Sequence, residues 1–508
     1  MSTANRIIKN TGFLYAKMGI TMFISLYTTR LILNSLGASD FGIFNIVGGA
    51  IAMLGFLNAA MASATQRFMS YSEGEGDKEK QKSIFNVSLI LHWGISLVVG
   101  IALFIAGYFF FNGILNIPAD RIFAAKVVYG SLIVSTMFTV MTVPYDAAMN
   151  AHENMKYYAV VGIFESFLKL AVAFACVYTS FDKLIVYGSL MACIPLITLT
   201  IMRIYCHRHY EECIIAPRAY WNRELMKKMT SFAGWSFSSN ATSIISNYGL
   251  GIVLNMFFKT VLNAAQGIAG QITGQLIVFT SNMLKAVNPI IYKSAGAKNK
   301  RLSCDIAIIG CKFSFLITAF FTLPFIIETP YILKLWLKEV PEYAIIFTQL
   351  QIARTMIEQL TTPLGTSISA TGFIKHFSII KTILNLLPLP IIYVAFDMGA
   401  PPYAMYLISI CIWSIIGGYI NLFYAQKFHI VTIKQHLHEV ILPCLITSII
   451  ILLAGFIIRH LFSESILRLG ITILSTSTVY IIMLILINLS KEEKTYIIEM
   501  WHNIRLKL

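Results

Sequence analysis

Runs of apolar residues recur from one end of the chain to the other, separated by short polar segments. A run of about 20 such residues can cross the hydrocarbon core of a bilayer as a helix. The pattern predicts fourteen membrane-spanning helices, near residues 12–35, 42–65, 84–110, 122–146, 157–180, 183–206, 230–257, 263–290, 304–327, 343–370, 374–396, 402–425, 438–459 and 466–489.

Composition supports this pattern. Of the 508 residues, 57% are hydrophobic and only 12% are charged, and the mean hydropathy is +0.72. A soluble protein of this length would need about twice that share of charged residues. The sequence therefore predicts an all-α polytopic membrane protein. The N-terminal MSTANRIIKNTG leads into the first span without a small-residue cleavage site, so we expect no cleavable signal.

The formal net charge of +15 first suggests a nucleic-acid partner, but its placement does not. With the N-terminus inside, most of the 39 Lys and Arg residues fall in segments on the cytoplasmic side. This asymmetry follows the positive-inside rule and predicts that both termini are cytoplasmic. The basic charge is thus mainly topological, and we expect no nucleic-acid partner.

The second half of the chain resembles the first at a shift of 221 residues. QRFMSYSEGEGDKEK (66–80), for example, falls on VNPIIYKSAGAKNKR (287–301). Six spans separate equivalent points, so the two halves have the same orientation, as in transporters built from parallel repeats. We expect a six-helix lobe at 1–206, a cytoplasmic loop at 207–229, a second lobe at 230–425, and two further helices with a cytoplasmic tail at 426–508.

Polar residues follow one face of several spans when placed at 100° per residue. Such stripes at membrane depth normally face a bundle interior or a water-filled cavity. Small polar residues also allow close helix packing, and for the seventh span the two explanations stay open. The stripes are Gln271, Gln275, Asn282 and Lys285 in the eighth span; Ser239, Thr242, Ser243, Ser246 and Asn247 in the seventh; and Ser378, Lys381, Thr382 and Asn385 in the eleventh.

Three cations stand in or beside the first two spans: Lys17, Arg30 and Arg67. Their counterparts in the repeat are the uncharged Ser238, Gly251 and Asn288. A purely structural charge would tend to recur, so their restriction to one lobe favours binding of an anion. Lys17 and Arg67 could instead extend to the membrane surface, and Arg30 could pair with Asp40 across the short turn.

Two pairs of opposite charge lie four residues apart within spans, Glu165 with Lys169 and Arg354 with Glu358. Side chains at this spacing can neutralise each other along one helix. We favour a structural role for both pairs, while coupling to an ion, also considered for Asp40, stays open.

The sequence holds no phosphate-binding G-x-x-x-x-G-K-[ST] loop. Its eight cysteines are scattered without metal-ligand spacing. The longest loop, near 207–229, is too short for a catalytic domain. We therefore expect a transporter rather than an enzyme, with no catalytic residues, cofactor or metal.

An Arg late in the first span precedes LGASDFGIFN (36–45), and an Arg ends the second span within QRFMSYSEGEGDKEKQ (66–81). With the two six-helix lobes, these segments resemble the polysaccharide (Wzx-type) flippases of the multidrug, oligosaccharidyl-lipid and polysaccharide exporter superfamily. The resemblance covers the whole chain in topology and is most specific over residues 10–90.

The resemblance implies a MATE-like fold in a bacterial inner membrane. It also implies transport of undecaprenyl-diphosphate-linked oligosaccharide to the periplasmic leaflet by alternating access, for O-antigen or capsule synthesis. Spans one, two, seven and eight would line the cavity, and membrane lipids and a polysaccharide polymerase would be partners. Those spans carry the candidate cargo contacts found from the cations and polar stripes: Lys17, Arg30, Arg67, Ser246, Gln271, Gln275, Asn282 and Lys285. A lipid II flippase and a cation-coupled drug antiporter of the same superfamily remain alternatives.

Overall fold

A computed structural model of the protein is helical, with no strand in the residues that it describes, 3–52, 55–114, 117–337, 339–489 and 494. A 3₁₀ turn precedes α4 at Ala119–Arg121, and wider π-helical turns occur at Phe110–Ile114, Ile410–Ile416, Leu437–Ile441 and Leu484–Asn488. The helices are α1 (Thr3–Ala52), α2 (Gly55–Glu75), α3 (Lys78–Phe109), α4 (Ile122–Ala151), α5 (Met155–Tyr178), α6 (Lys183–His209), α7 (Pro217–Tyr220), α8 (Arg223–Gly296), α9 (Lys300–Leu337), α10 (Ala344–Gln359), α11 (Thr362–Ala370), α12 (Lys375–Leu386), α13 (Pro388–Asp397), α14 (Ala404–Ser409), α15 (Gly417–Lys427), α16 (Ile433–His436), α17 (Leu442–Leu461) and α18 (Ile466–Met483).

The described residues of the predicted spans lie mainly on helix, and within the described ranges ten helical stretches are long and apolar enough to cross a membrane. This confirms the all-α, multi-pass prediction. The predicted spans 12–35, 42–65, 263–290 and 343–370 are not among the ten. The last of these is divided between α10 and α11, so neither half has the required length.

Two of the long helices contain sharp changes of direction. In α1 the backbone leaves helical geometry at Gly37, where φ is 77°, a left-handed value that glycine adopts at little cost. In α8, Asn263 Nδ2 donates to the Gly251 carbonyl at 3.0 Å. Residues 12 apart in a straight helix lie about 18 Å apart, so α8 turns back between them. The seventh and eighth predicted spans are therefore the two arms of α8.

The chain divides into two compact units. Unit 1 contains residues 1–241 and 285–299, so it includes the C-terminal end of α8. Its main core joins α2, α3, α4 and α6 through buried side chains such as Met69, Phe85 and Met149. We predicted lobe boundaries from the repeat, and those boundaries stay a prediction.

Unit 2 contains residues 242–284 and 300–508 and is organised around α9. In the apolar stretch of α9, 72% of the residues are buried, against 17–44% in the nine other candidate spans. Helix α18 is fastened to α9 by a buried ion pair, Arg468 Nη2 to Glu328 Oε2 at 2.8 Å, and by Thr472 donating to the same carboxylate at 2.9 Å. Removing one partner of such a pair leaves an uncompensated buried charge, so this contact fixes the C-terminal helices to unit 2.

Within unit 1, the C-terminal ends of α2 and α8 cross in backbone contact. A Cβ atom on Gly74 would lie 1.9 Å from the Lys293 carbonyl oxygen, and one on Gly296 would lie 1.9 Å from the Tyr71 carbonyl oxygen. Gly74 and Gly296 are 222 residues apart in sequence, as are Tyr71 and Lys293. The contact is therefore reciprocal, as expected where two copies of a repeat meet about a two-fold axis. We call it the α2–α8 crossing.

Substituting alanine at Gly74 or Gly296 should force the two helices apart. Overpacking costs about 1–3 kcal/mol when neighbours can adjust, and here the opposing atoms are backbone, so we expect at least that loss of stability. Thermal unfolding of the purified protein in detergent measures it. Gly12→Ala is the matched control, because no atom lies within 4 Å of the added methyl group and alanine is the better helix former. Equal unfolding temperatures for Gly74→Ala and Gly12→Ala would contradict the crossing.

Candidate functional site

Two lysine side chains converge on one aromatic ring in unit 1. Lys285 Nζ, from α8, lies 3.5 Å from the centroid of the Tyr158 ring, and Lys17 Nζ, from α1, lies 4.4 Å from it. Within the described residues neither ammonium group has a carboxylate oxygen within 4 Å. A cation over an aromatic face is stabilised by the ring quadrupole, more strongly where water is excluded. Tyr158 therefore holds two positive charges in one place.

Local packing explains why these side chains meet. Leu14, Met155 and Ala286 form a small buried cluster that brings α1, α5 and α8 together. Lys17 and Tyr158 each follow a cluster residue by three positions, about one helical turn, and Lys285 directly precedes Ala286. Gly162 makes room for the Lys17 stem, since a Cβ atom there would lie 2.2 Å from Lys17 Cε.

A carboxylate completes this site. Asp146, on α4, lies near Lys285 and Lys17 but more than 4 Å from either ammonium group, and its Oδ1 atom is buried without a hydrogen-bond partner among the described residues. Asp146, Lys17, Tyr158 and Glu165 line a cavity of about 150 Å³. Glu165 is neutralised by Lys169 at 2.7 Å, so the two lysines against Asp146 leave a net charge of one positive unit. We call Lys17, Lys285, Tyr158 and Asp146 the lysine-pair site.

Sequence reasoning placed Lys17 and Lys285 in a cavity but missed Asp146. The predicted fourth span ended at residue 146, where a carboxylate can reach water. Helix α4 instead continues to Ala151, beyond Pro144, so Asp146 lies inside the helix. Extending the predicted helix to the next turn signal, HEN at 152–154, would have placed Asp146 inside it.

Arg67 lies in a separate aromatic environment. It is only 7% exposed, and its guanidinium carbon lies 4.5 Å from the Phe68 ring centroid, 4.8 Å from that of Tyr71 and 5.6 Å from that of Phe232. These rings offset part of the cost of burying the charge. Cargo contact by Arg67 stays a prediction.

The suggested pair between Arg30 and Asp40 is wrong. Asp40 pairs with Arg121, whose Nε donates to Asp40 Oδ1 at 2.8 Å and whose Nη1 donates to Asp182 Oδ2 at 2.6 Å. The hydrogen bond from Arg121 holds the pKa of Asp182 below its ordinary value, although burial works against this. Arg121 is distant in sequence, so the helix-turn spacing could not reveal it. Arg30 is exposed and has no ion pair with any residue that the structure describes.

The other predicted cargo contacts lie in unit 2. Ser246 is fully buried, and its hydroxyl has no hydrogen-bond partner among the described residues. Gln271 and Gln275 are exposed, and Asn282 is half-buried and donates to the Val278 carbonyl at 3.1 Å. A role in cargo binding stays a prediction for all four.

Both predicted intrahelical pairs form. Lys169 Nζ lies 2.7 Å from Glu165 Oε1, and Arg354 Nε lies 3.7 Å from Glu358 Oε1. The stripes of the seventh and eleventh spans also meet, since Asn385 Nδ2 donates to Thr242 Oγ1 at 3.3 Å. Lys381, from the same stripe, shares a cavity with Arg354 and Glu358.

A network of ion pairs surrounds the α2–α8 crossing. Lys293 Nζ lies 3.7 Å from Glu73 Oε1 and 3.5 Å from Glu153 Oε1. Glu153 Oε1 also pairs with Arg6 Nη1 at 3.1 Å. On the other side of Glu73, His152 bridges to Glu212 at 2.6 Å. The network connects α1, α2 and α8 with the loops after α4 and α6, so it reinforces the crossing.

The network should make stability depend on pH. Burial of the Glu212 carboxyl opposes its charged form, but the hydrogen bond to His152 and the nearby charge of Lys78 hold the pKa of Glu212 below its ordinary value. A lowered pKa stabilises the folded state above the unfolded-state value of about 4.3, and this contribution is lost as pH falls through the folded-state pKa. At pH 6 we expect Glu212→Gln to unfold more easily than the native protein, by about 1–3 kcal/mol for a charge-assisted bond.

Thermal unfolding at pH 6 and pH 4 tests this expectation: the difference between native protein and Glu212→Gln should shrink at pH 4. Glu224→Gln is the control, because Glu224 pairs with Lys228 in solvent and its loss should change nothing measurable. A native–variant difference that grows on acidification would contradict the assignment.

Comparison with known proteins supports the fold. No family model matches the chain, and no curated protein does. Solved structures do. An outward-facing multidrug resistance MATE family transporter of the MOP superfamily has a TM-score of 0.68 at 16% identity, covering 84% of this chain and 95% of that one. A MATE transporter in complex with MaL6 has a TM-score of 0.66 at 16% identity, over 84% and 96%.

A third structure is a MOP superfamily transporter from Pyrococcus furiosus, described by a reverse polarity of its binding pocket that suggests a different function. It has a TM-score of 0.67 at 16% identity, covering 84% of this chain and 95% of that one. At this identity the likeness establishes the fold alone. The predicted MATE-like fold is confirmed.

Proposed function

We propose that the protein is a transporter of the bacterial inner membrane that moves undecaprenyl-diphosphate-linked oligosaccharide from the cytoplasmic to the periplasmic leaflet, for O-antigen or capsule synthesis. The observation that carries this proposal is the lysine-pair site. Two ammonium groups lie within a membrane-spanning bundle, and of the two carboxylates beside them, Asp146 and Glu165, the second is already paired with Lys169; this charge balance suits an anionic cargo better than a cationic one.

A diphosphate can leave water only if its charges are paired. Lys17 and Lys285 would supply two charge-assisted contacts to the diphosphate, and the Tyr158 ring would hold them in place between transport events. Asp146 would balance part of their charge when no cargo is bound. The arriving diphosphate then competes with Asp146, which keeps the site from holding its cargo too tightly to release it.

Transport by alternating access requires the site to open first to one side and then to the other. We assign the α2–α8 crossing to the cytoplasmic side, because the positive-inside pattern puts residues 76–82 and 298–301 there. In this account the crossing is closed in the present conformation and separates to admit cargo.

A cation-coupled antiporter is the second candidate, and Asp146 is the observation that favours it. A buried intramembrane carboxylate without a hydrogen-bond partner at Oδ1 is suited to taking up a proton or a cation. A lipid II flippase shares the diphosphate-linked carrier and differs in the sugar that the cargo bears.

Ligand-induced stabilisation tests the proposal. We expect undecaprenyl-diphosphate oligosaccharide to raise the unfolding temperature of the purified protein, by an amount equivalent to about 2.7 kcal/mol at a ligand concentration 100 times Kd. An undecaprenyl monophosphate without sugar is the matched lipid control and should stabilise less. If the cationic dye ethidium stabilises the protein and the diphosphate-linked cargo does not, the antiporter assignment would replace the flippase assignment. If lipid II stabilises the protein more than the other diphosphate-linked carriers do, lipid II would replace the O-antigen or capsule precursor as the assigned cargo.

A further inference from the structure

A second charged cavity lies wholly within unit 2. It is enclosed by the first arm of α8, by α10 and α12, and by the helical segment around α15, and its volume is about 210 Å³. At about 30 Å³ per water molecule, this is room for about seven waters or one compact polar group. Arg354, Glu358, Lys381 and Asn421 contribute its polar lining.

The cavity carries an unbalanced positive charge. Arg354 is only 8% exposed, and it donates no hydrogen bond to any described residue. Its nearest partners are the Trp413 ring, 4.7 Å from the guanidinium carbon to the centroid, and Glu358, 3.7 Å from Nε. Arg354 Nε is buried without a hydrogen-bond partner among the described residues, and leaving a buried donor unpaired is costly, so the site lacks an acceptor.

Lys381 adds a second cation that the protein does not neutralise. Its ammonium group donates to the Gly417 carbonyl at 3.4 Å, and in the described part of the chain no carboxylate lies within 4 Å. Glu358 is the one carboxylate of the lining, and it already faces Arg354 and accepts from Ser414 at 3.5 Å. Two cations and one carboxylate leave one positive charge, which a single anionic group would balance.

Neutral groups in the same cavity indicate what else the ligand carries. Asn421 donates from Nδ2 to both oxygens of Thr361, at 3.3 and 3.2 Å, which leaves its Oδ1 buried without a donor. Trp413 is held in place by its Nε1 donating to the Leu384 carbonyl at 3.0 Å. An amide oxygen without a donor, in a cavity whose two cations share one carboxylate, suits a ligand with both a hydroxyl group and an anionic group.

We infer that this cavity binds the carboxylate of a sugar acid, with the carboxylate between Arg354 and Lys381 and a ring hydroxyl donating to Asn421. A neighbouring cavity of about 580 Å³ shares Arg354 and Asn247 and leaves space for further sugars. The inference deepens the proposed function, on which it rests, by giving the cargo an acidic sugar. It also changes the expectation for Arg354 and Glu358, which we favoured as a structural pair.

Free D-glucuronate is the probe, and thermal unfolding of the full-length protein in detergent is the readout. We expect glucuronate to raise the unfolding temperature, D-glucose and acetate to have little effect, and Lys381→Met to weaken the glucuronate effect about tenfold or more in concentration. Lys381→Arg, which keeps the charge, should retain it. Lys228→Met with Glu224→Gln removes an exposed lysine and its partner at the start of α8 and should leave the glucuronate response unchanged.

Equal stabilisation by acetate, chloride and glucuronate would reduce the cavity to a simple anion site and overturn the sugar assignment. A glucuronate response that survives in a folded Lys381→Met protein would overturn the assigned position. If Lys381→Met fails to fold, Asn421→Leu serves instead, and an unchanged glucuronate response in that variant counts against the inference. If glucuronate has no effect but the diphosphate-linked cargo still stabilises the protein, only the acidic sugar is ruled out, and the flippase assignment is unaffected.

Discussion

Replacing Lys17 and Lys285 together by methionine is expected to reduce leaflet exchange of the diphosphate-linked cargo to the level of protein-free liposomes. Each lysine would contribute a charge-assisted contact worth about 1.5–3 kcal/mol, or roughly tenfold or more in affinity. Both contacts would be made to the same diphosphate, because both ammonium groups lie against the Tyr158 ring. Each single substitution should therefore be intermediate, and the exchange rate in reconstituted liposomes measures all three variants.

The matched control removes a lysine that is already neutralised. Lys228 pairs with Glu224 at 2.6 Å at the exposed start of α8, so Lys228→Met with Glu224→Gln keeps the charge balance and should exchange cargo at close to the native rate. Arginine at position 285 should retain part of the activity because it keeps the charge. A double methionine variant that is folded, equally reconstituted and as fast as the native protein would remove the lysine pair from the transport path.

Locking the α2–α8 crossing is expected to stop transport completely. Cysteines at positions 73 and 293, whose native side chains approach to 3.7 Å, can be joined by a short reducible bismaleimide. The native cysteines at 193, 304 and 411 are exposed or half-buried and would first be replaced by serine. Because cargo entry needs the crossing to separate, the cross-linked protein should exchange nothing, and reduction of the linker should restore the rate.

Each single-cysteine variant treated with the same reagent controls for modification alone and should keep its activity. The cross-linked fraction is read from a mass-spectrometric digest. Unreduced exchange in protein that is fully cross-linked would show that the crossing does not open during transport.

The sequence was a good guide wherever the deciding interaction is local. Hydropathy alone placed the predicted spans mainly on helix in the part of the chain that the structure describes, because lipid requires backbone groups to be paired within the span. The pairs Glu165–Lys169 and Arg354–Glu358 formed as predicted, because a four-residue spacing fixes their geometry within one helix.

Interactions between distant segments were less predictable. Arg121 pairs with Asp40, which lies 81 positions away in the sequence. Asp146 lies near the two lysines because α4 continues past the expected end of its span. The repeat predicted that residues near 66–80 and 287–301 are equivalent, but not that they meet. The crossing relates them by 222 residues rather than 221, with Gly74 against the Lys293 carbonyl and Gly296 against the Tyr71 carbonyl.

For the site residues, too, local features could be predicted from the sequence and contacts between distant segments could not. Lys17 and Lys285 could be named because a charge within a span stands out against its neighbours. That they share one ring could not be predicted, since it depends on how α1, α5 and α8 pack at Leu14, Met155 and Ala286. The charge balance of the cavity at Arg354 and Lys381 likewise appears only when α10 and α12 are placed together.

The central claim is that the cationic lysine-pair site moves an anionic, lipid-linked sugar. The most direct measurement follows two activities in the same proteoliposomes, with labelled undecaprenyl-diphosphate oligosaccharide in the membrane and ethidium in the lumen. A membrane-impermeant reagent reports leaflet exchange of the carrier, and fluorescence reports dye efflux under an imposed proton or sodium gradient. We predict rapid carrier exchange that is lost in the Lys17/Lys285 double methionine variant, and no dye efflux. Gradient-driven dye efflux without carrier exchange would contradict the account and establish the antiporter instead.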